Sequence, residues 1–82
     1  MIINVKYFAS LREIVSIEHE QFDLPGEQSI LSVRSAILAR RPQLSGIIEK
    51  CKTARNRNIV LLLDETVADG DEIVLLPPMS GG

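Results

Sequence analysis

A single cysteine, a single histidine and no tryptophan leave this 82-residue sequence short of the side chains that carry most catalysis and metal binding. Cys51 has no second cysteine to pair with, so an internal disulfide is excluded. One histidine, His19, rules out a multi-histidine metal site. Aromatic residues make up 4% of the chain and the net charge is −2, which argues against a stacking surface or basic footprint for nucleic acid. No apolar run approaches the roughly 20 residues needed to cross a bilayer. No charged, apolar and small-residue layout of a signal peptide opens the chain. These absences predict a cytoplasmic protein without a membrane or nucleic-acid partner.

Phosphate-cradling loops are missing as well. Neither GxxxxGK[ST] nor GxGxxG occurs, so no nucleotide site is predicted. No Ser/His/Asp set or paired carboxylates suggest catalysis. The acids Asp64, Glu65, Asp69, Asp71 and Glu72 lack the spacing of a calcium loop and read as turn-forming and solvating residues. His19, between Glu18 and Glu20, reads as a solvated strand position. Cys51 is bordered by Lys50 and Lys52, which favour a thiolate. With no partner cysteine or nearby histidine, it reads as a passive thiol in a surface segment.

What remains is a small globular domain whose core must be built from Ile, Leu and Val. At this length the chain forms one domain, residues 1–76, followed by a tail, residues 77–82. Charge is unevenly spread. Arg34, Arg40, Arg41, Lys50, Lys52, Arg55 and Arg57 face only one acid, Glu49, in their stretch, whereas every charged residue from Asn58 onward is acidic. Such asymmetry can steer partners, and the basic stretch reads as a solvated helix end and loop.

The β-branched and aromatic stretch Ile2 to Phe8 predicts a first strand. Ala9 to Ser16 predicts a short helix with Ser10 as its cap, and His19 to Leu24 a second strand ending at the Pro25-Gly26 turn. Ser29 is a good N-cap for a helix running to about Arg40, with Ile30, Val33 and Ile37 as its core stripe. Leu31 and Leu38 lie beside that stripe, and Pro42 closes the element. Leu44 to Lys50 predicts a short helix or irregular segment, and Thr53 to Asn58 has no clear assignment. Ile59 to Leu63 reads as a strand buried on both faces, or as an overlong apolar run with some exposure. Asp69-Gly70-Asp71 is a turn, and Glu72 to Leu76 the closing strand. Two strands, a helix and two returning strands predict an α+β domain, with the helix across a mixed sheet and the last strand parallel to the first.

After the closing strand come Pro77-Pro78-Met79-Ser80-Gly81-Gly82. The prolines cannot donate to a ladder and stop the strand. Gly81 and Gly82 add nothing to a core, but lacking Cβ atoms they suit a channel too narrow for other residues. Taking Gly82 as the terminus, its carboxylate is ionised at neutral pH and must be activated before any acyl chemistry. The tail thus reads as a substrate for other enzymes.

Val5-Lys6-Tyr7-Phe8-Ala9-Ser10-Leu11-Arg12-Glu13, Ala68-Asp69-Gly70-Asp71-Glu72-Ile73 and Leu76-Pro77-Pro78-Met79-Ser80-Gly81-Gly82 together resemble the small, sulfur-carrier subunit of molybdopterin synthase. The resemblance spans essentially the whole chain. It implies a β-grasp (ubiquitin-like) fold, a chain that binds no cofactor, and a role for Gly82 as the attachment point of adenylate and then thiocarboxylate, with Gly81 giving access. It also implies three partners: the large synthase subunit, in a heterotetramer; a ubiquitin-activating-like adenylating enzyme that uses ATP; and a sulfur donor. The chain would be a non-catalytic carrier whose sulfur passes to a pterin precursor. Ala54-Arg55-Asn56-Arg57-Asn58-Ile59-Val60 departs from the family's Ala-Val-Asn-x-x-x-Val stretch: Asn56 matches, Arg55 replaces an apolar residue, and the leucines that follow run about one residue longer. Sulfur carriers of the same fold for thiazole, tRNA thiolation or cysteine synthesis, and a ubiquitin-like modifier joined to lysines through Gly82, share the same tail.

Overall fold

The computed structural model describes residues 1–78. Gly81 and Gly82, and the greater part of the expected tail, lie outside the described residues. Strand β1 (Ile2–Tyr7) alternates between sheet faces as its sequence does, burying Ile3, Val5 and Tyr7. A short helix, α1 (Ala9–Val15), links it to β2 (His19–Asp23), which returns antiparallel to it. Ser10 does not cap α1: Phe8 holds the N-cap position and no side-chain bond forms there. The helix closes instead on Ser16, in the left-handed region at φ 65°.

Two-residue strands β3 (Gln28–Ser29) and β6 (Thr66–Val67) pair with each other away from the main sheet. Ser29 then caps α2 (Ile30–Arg40), its hydroxyl oxygen accepting from the Ser32 N–H at 3.2 Å. Ser32 reciprocates, accepting from the Ser29 N–H at 2.8 Å, so a serine replaces the usual Glu of a capping box. Ile30, Val33 and Ile37 are fully buried against the sheet, whereas Leu31 stays 53% exposed. Single turns of 3₁₀ helix at Pro42–Leu44 and Ile48–Lys50 bury Leu44 and Ile48 and lead into β4 (Lys52–Arg55).

Strand β4, β5 (Asn58–Ile59) and β7 (Glu72–Leu76) complete a five-stranded sheet of order β2-β1-β7-β4-β5. The closing strand β7 sits in its middle, parallel to β1 as expected and antiparallel to β4. With α2 across one face, this is the β-grasp arrangement.

Lys52–Arg55, in and just before the stretch that had no clear assignment, forms the polar strand beside β7. Thr53 can occupy a buried position because Arg34, reaching from α2, donates to its hydroxyl at 3.1 Å and to the carbonyls of Ile48 and Cys51. Only Ile59 of the apolar run is in a strand; Leu61, Leu62 and Leu63 are exposed to 88, 67 and 45%. Cys51, expected in a surface segment, is not on the surface. It is 6% exposed and belongs to the core cluster.

The β4–β5 turn is two residues long, with Asn56 at φ 48° and Arg57 at φ 74°. Two consecutive positive φ values define the hairpin turn that favours Asn-Gly. An L-residue pays roughly 1–2 kcal/mol to sit in the left-handed region, and glycine does not. Arg57→Gly is therefore expected to raise unfolding stability by about 0.5–1 kcal/mol after its greater chain entropy is subtracted. A higher thermal midpoint would show it; a lower one would mean that the Arg57 side chain contributes more than its backbone costs.

Candidate functional site

The described part of the tail begins at the end of a strand that is paired on both edges. Ile73 and Leu75 of β7 are completely buried on the helix side, and both edges of the strand are hydrogen-bonded. Pro77 is half-buried and Pro78 exposed, so the chain leaves the sheet where the prolines predict. A strand locked on both edges and one face fixes the origin and direction of whatever follows.

The neighbours of that origin come from three elements. Register sets Tyr7 beside Leu75, so Phe8 lies at the same sheet end as Leu76, and it is 44% exposed. The Lys6 ammonium stands 5.5 Å from the Phe8 ring centre. Lys6, Tyr7, Phe8, Ala9, Arg12 and Glu18 line a shallow hollow there. On the other side Lys52 pairs with Leu76. The exposure of Phe8 was legible in the alternation of β1: with Ile3, Val5 and Tyr7 inward, position 8 faces out.

On the face of the sheet opposite α2, register lines up Val74, Ala54 and Ile59, of which Val74 and Ala54 are buried and Ile59 is exposed. Val74 pairs with Ala54, and Ala54 with Ile59, which is 52% exposed. Lys6 flanks Val74 on β1. This is the surface next to the closing strand on which a larger partner is expected to sit.

Cys51 immediately precedes Lys52, so its backbone is near the root of the tail while its side chain points into the core. Its Sγ lies 3.4 Å from the Ile47 carbonyl oxygen. Burial pushes the thiol pKa up, and the nearby Arg34 only partly opposes this. A buried thiol held protonated is a poor nucleophile. His19 is exposed on β2, as expected.

Most of the basic stretch is engaged in holding the fold together. Glu20 accepts from Arg41 Nη2 at 2.8 Å and Nε at 3.0 Å, from Arg40 at 3.2 Å and from the Tyr7 hydroxyl at 2.5 Å. This pins the end of α2 to β2, and the Arg40 guanidinium also stacks 3.7 Å from the Phe22 ring centre. Burial pushes the Glu20 carboxyl pKa up, but the hydrogen bonds from Arg41, Tyr7 and Arg40 outweigh it and bring it down to about 2. Burial pushes the Tyr7 hydroxyl up, and its bond to Glu20 pushes it further.

Arg55, the departure from the expected motif, donates to Asp71 at 2.6 Å and to Glu65 at 3.2 Å. Asn56 donates to the other oxygen of Asp71 at 2.9 Å, and the Ala68 N–H to Asp71 at 2.8 Å. Burial disfavours the charge on Asp71, but the Ala68 N–H, Asn56 and Arg55 prevail and lower its pKa. Asp71 is thus a buried clamp between the β4–β5 turn and the start of β7, not a solvating residue. Among the described residues no cluster of His, Cys, Asp and Glu could hold a metal ion, and no helix is long and apolar enough to span a membrane.

Comparison with known proteins bears on what such a strand and tail are for. The ThiS family model matches residues 5–82. The chain belongs to the ThiS family. The molybdopterin synthase sulfur carrier subunit of Chlamydomonas reinhardtii is 35% identical over 83 residues, covering all of both chains. Among solved structures, SAMP1 from Haloferax volcanii superposes with a TM-score of 0.89 at 27% identity, again over all of both chains. A complex of subunits 1 and 2 of molybdopterin-converting factor from Helicobacter pylori contains a chain matched at TM-score 0.73 and 28% identity over the full length of both. The ThiS-family match runs through Gly81 and Gly82, so the tail is part of the shared pattern.

Proposed function

We propose that this chain is the sulfur carrier of molybdopterin synthesis and that Gly82 bears the sulfur. The observation that carries this reading is the family match through residue 82, on a chain whose tail follows the central strand β7. The name of the Chlamydomonas relative supports the pathway. In the proposed cycle the Gly82 carboxylate attacks the α-phosphate of ATP on an activating enzyme, releasing pyrophosphate and forming an acyl-adenylate. A sulfur nucleophile then displaces AMP and leaves a thiocarboxylate. The tail enters the large synthase subunit, where the thiocarboxylate sulfur attacks a pterin precursor and water then cleaves the acyl–sulfur bond, leaving the sulfur on the precursor and returning the Gly82 carboxylate. This chain supplies the carried group and the docking surface; the partners supply catalysis. ATP is consumed by the activating enzyme and is not held by this chain.

Phe8 and Lys52 flank the root of the tail and Ile59 is exposed on β5 of the same sheet, and these exposed residues suit a partner that must grip the domain while receiving the tail. Mixing with a molybdopterin synthase large subunit is expected to give a stable complex by size exclusion with light scattering, burying about 1,200–2,000 Å² per interface. Absence of any complex would favour a carrier for thiazole, tRNA thiolation or cysteine synthesis.

A second reading is favoured by the similarity to SAMP1, described for Methanosarcina acetivorans as a small archaeal modifier protein. There the activated Gly82 would be attacked by a lysine amine, giving an amide in place of a thiocarboxylate. Stable lysine conjugates in cells would establish it, and their absence alongside a thiocarboxylate would exclude it.

A further inference from the structure

Whatever receives the tail must sit against the end of the sheet from which it leaves, and the charges there are one-sided. Phe8, 44% exposed, walls a hollow of about 330 Å³ beside the root of the tail. Lys6 and Arg12 line the same hollow, and the Lys6 ammonium stands 5.5 Å from the Phe8 ring centre. Lys52 is exposed and pairs with Leu76 on the other side of the root. Among the described residues none of these three cations forms a salt bridge, whereas Arg40, Arg41 and Arg55 each do. Glu18 is the one acid lining the hollow. Asp71 and Glu72 lie at the far end of β7, and Arg55 takes up Asp71 and Glu65.

That imbalance constrains what can dock. A partner that covers Phe8 also takes Lys6 out of water, and a cation stripped of water without a counter-charge opposes binding strongly. Arg12 shares the hollow and the same cost. Glu18 carries one charge and can offset only one of the two cations. A partner that grips this end of the sheet must therefore bring negative charge of its own. The hollow has the size of a side chain, and a guanidinium beside an ammonium suits a carboxylate, which arginine binds through two parallel N–H bonds.

We propose that the hollow between Lys6 and Arg12 receives an Asp or Glu side chain from the protein that takes in the tail. This rests on the carrier reading above, which makes the large synthase subunit that protein. The carboxylate contact sets the register of the two proteins around the root of the tail. The basic end of the domain, with Lys52 on its other side, also draws an acidic surface toward it and raises the rate of encounter.

The test measures binding of the full chain to the purified large synthase subunit of the same organism by surface plasmon resonance. Lys6→Gln and Arg12→Gln are each expected to weaken binding by about fivefold, and Lys6→Glu and Arg12→Glu by more than about tenfold. Glu18→Gln removes the competing acid and is expected to tighten binding by about two- to threefold. A hollow acting by shape alone would not answer to charge in both directions. Lys6, Arg12 and Glu18 lie outside the core cluster, so these substitutions are expected to leave the fold intact. Carbodiimide coupling of the complex is expected to join the Lys6 amine to an Asp or Glu of the large subunit. A complex indifferent to charge at positions 6 and 12, one that Glu18→Gln weakens, or a coupling that finds no acid at Lys6 overturns the proposal and leaves the carrier reading standing. Absence of any complex with the wild type overturns both.

Discussion

Deleting Gly82 is expected to abolish sulfur transfer, by at least about a hundredfold, while changing unfolding stability by no more than about 0.5 kcal/mol. The core cluster and the pairing of β7 are complete within residues 1–78. Nothing described in the fold depends on residue 82. Deletion draws the carboxylate back by roughly 3.5 Å, and misplacing a reacting atom by about 1 Å can already cost a hundredfold in rate. Gly81→Ile keeps the length but adds a β-branched side chain with restricted rotation to a segment suited to a narrow channel. It is expected to show the same separation of stability from activity. Denaturant unfolding and sulfur transfer, measured on the same variants, check both. Unchanged transfer would show that another group carries the sulfur. Stability that collapses in step with activity would show that the tail belongs to the fold.

Replacing Glu20 by glutamine is expected to cost about 2–3 kcal/mol at neutral pH and to remove part of the acid sensitivity of the protein. The Glu20 side chain is only 11% exposed and receives two arginines and a tyrosine. Folding lowers its pKa from 4.5 to about 2, so the fold favours the charged form. At about 1.4 kcal/mol per pKa unit, that difference corresponds to roughly 3 kcal/mol. The contribution is complete above about pH 4.5, where even the unfolded chain is ionised, and disappears as pH falls to about 2. Urea unfolding of the wild type at pH 7, about 4 and about 2.5 is expected to show this loss. The glutamine variant is expected to begin lower and fall less over the same window, the remainder coming from Asp71, whose pKa is also lowered. An unchanged pH slope would mean that Glu20 is not held as its contacts indicate.

Local signals were enough for much of this fold. Ser29 caps a helix because its short side chain reaches an N–H only three residues along the chain, and Ile30, Val33 and Ile37 announce one face by spacing alone. The Asp69-Gly70-Asp71 turn and the closing strand are equally local. Lys52–Arg55 escaped because its burial rests on Arg34, 19 residues from Thr53, a partner that periodicity does not name. For Leu61, Leu62 and Leu63 two readings were open, a strand buried on both faces or an overlong run with some exposure, and the second holds. Apolar character says what a segment avoids, not whether its own chain covers it. Asp71 looked solvated for a similar reason, since Arg55 and Asn56 become its neighbours only when β4 and β7 pair. For the candidate site, the prolines and glycines were visible in sequence, as was the alternation that exposes Phe8. The alignment of Val74, Ala54 and Ile59 required the register across three strands.

The most direct test of the carrier role is intact-mass analysis after incubation with an activating enzyme, ATP and a sulfur source, followed by fragmentation. The mass is expected to rise by the replacement of one oxygen with one sulfur, located at Gly82, and Cys51→Ser is expected to acquire the sulfur as the wild type does. Sulfur found on Cys51, or lost in Cys51→Ser, would contradict the account.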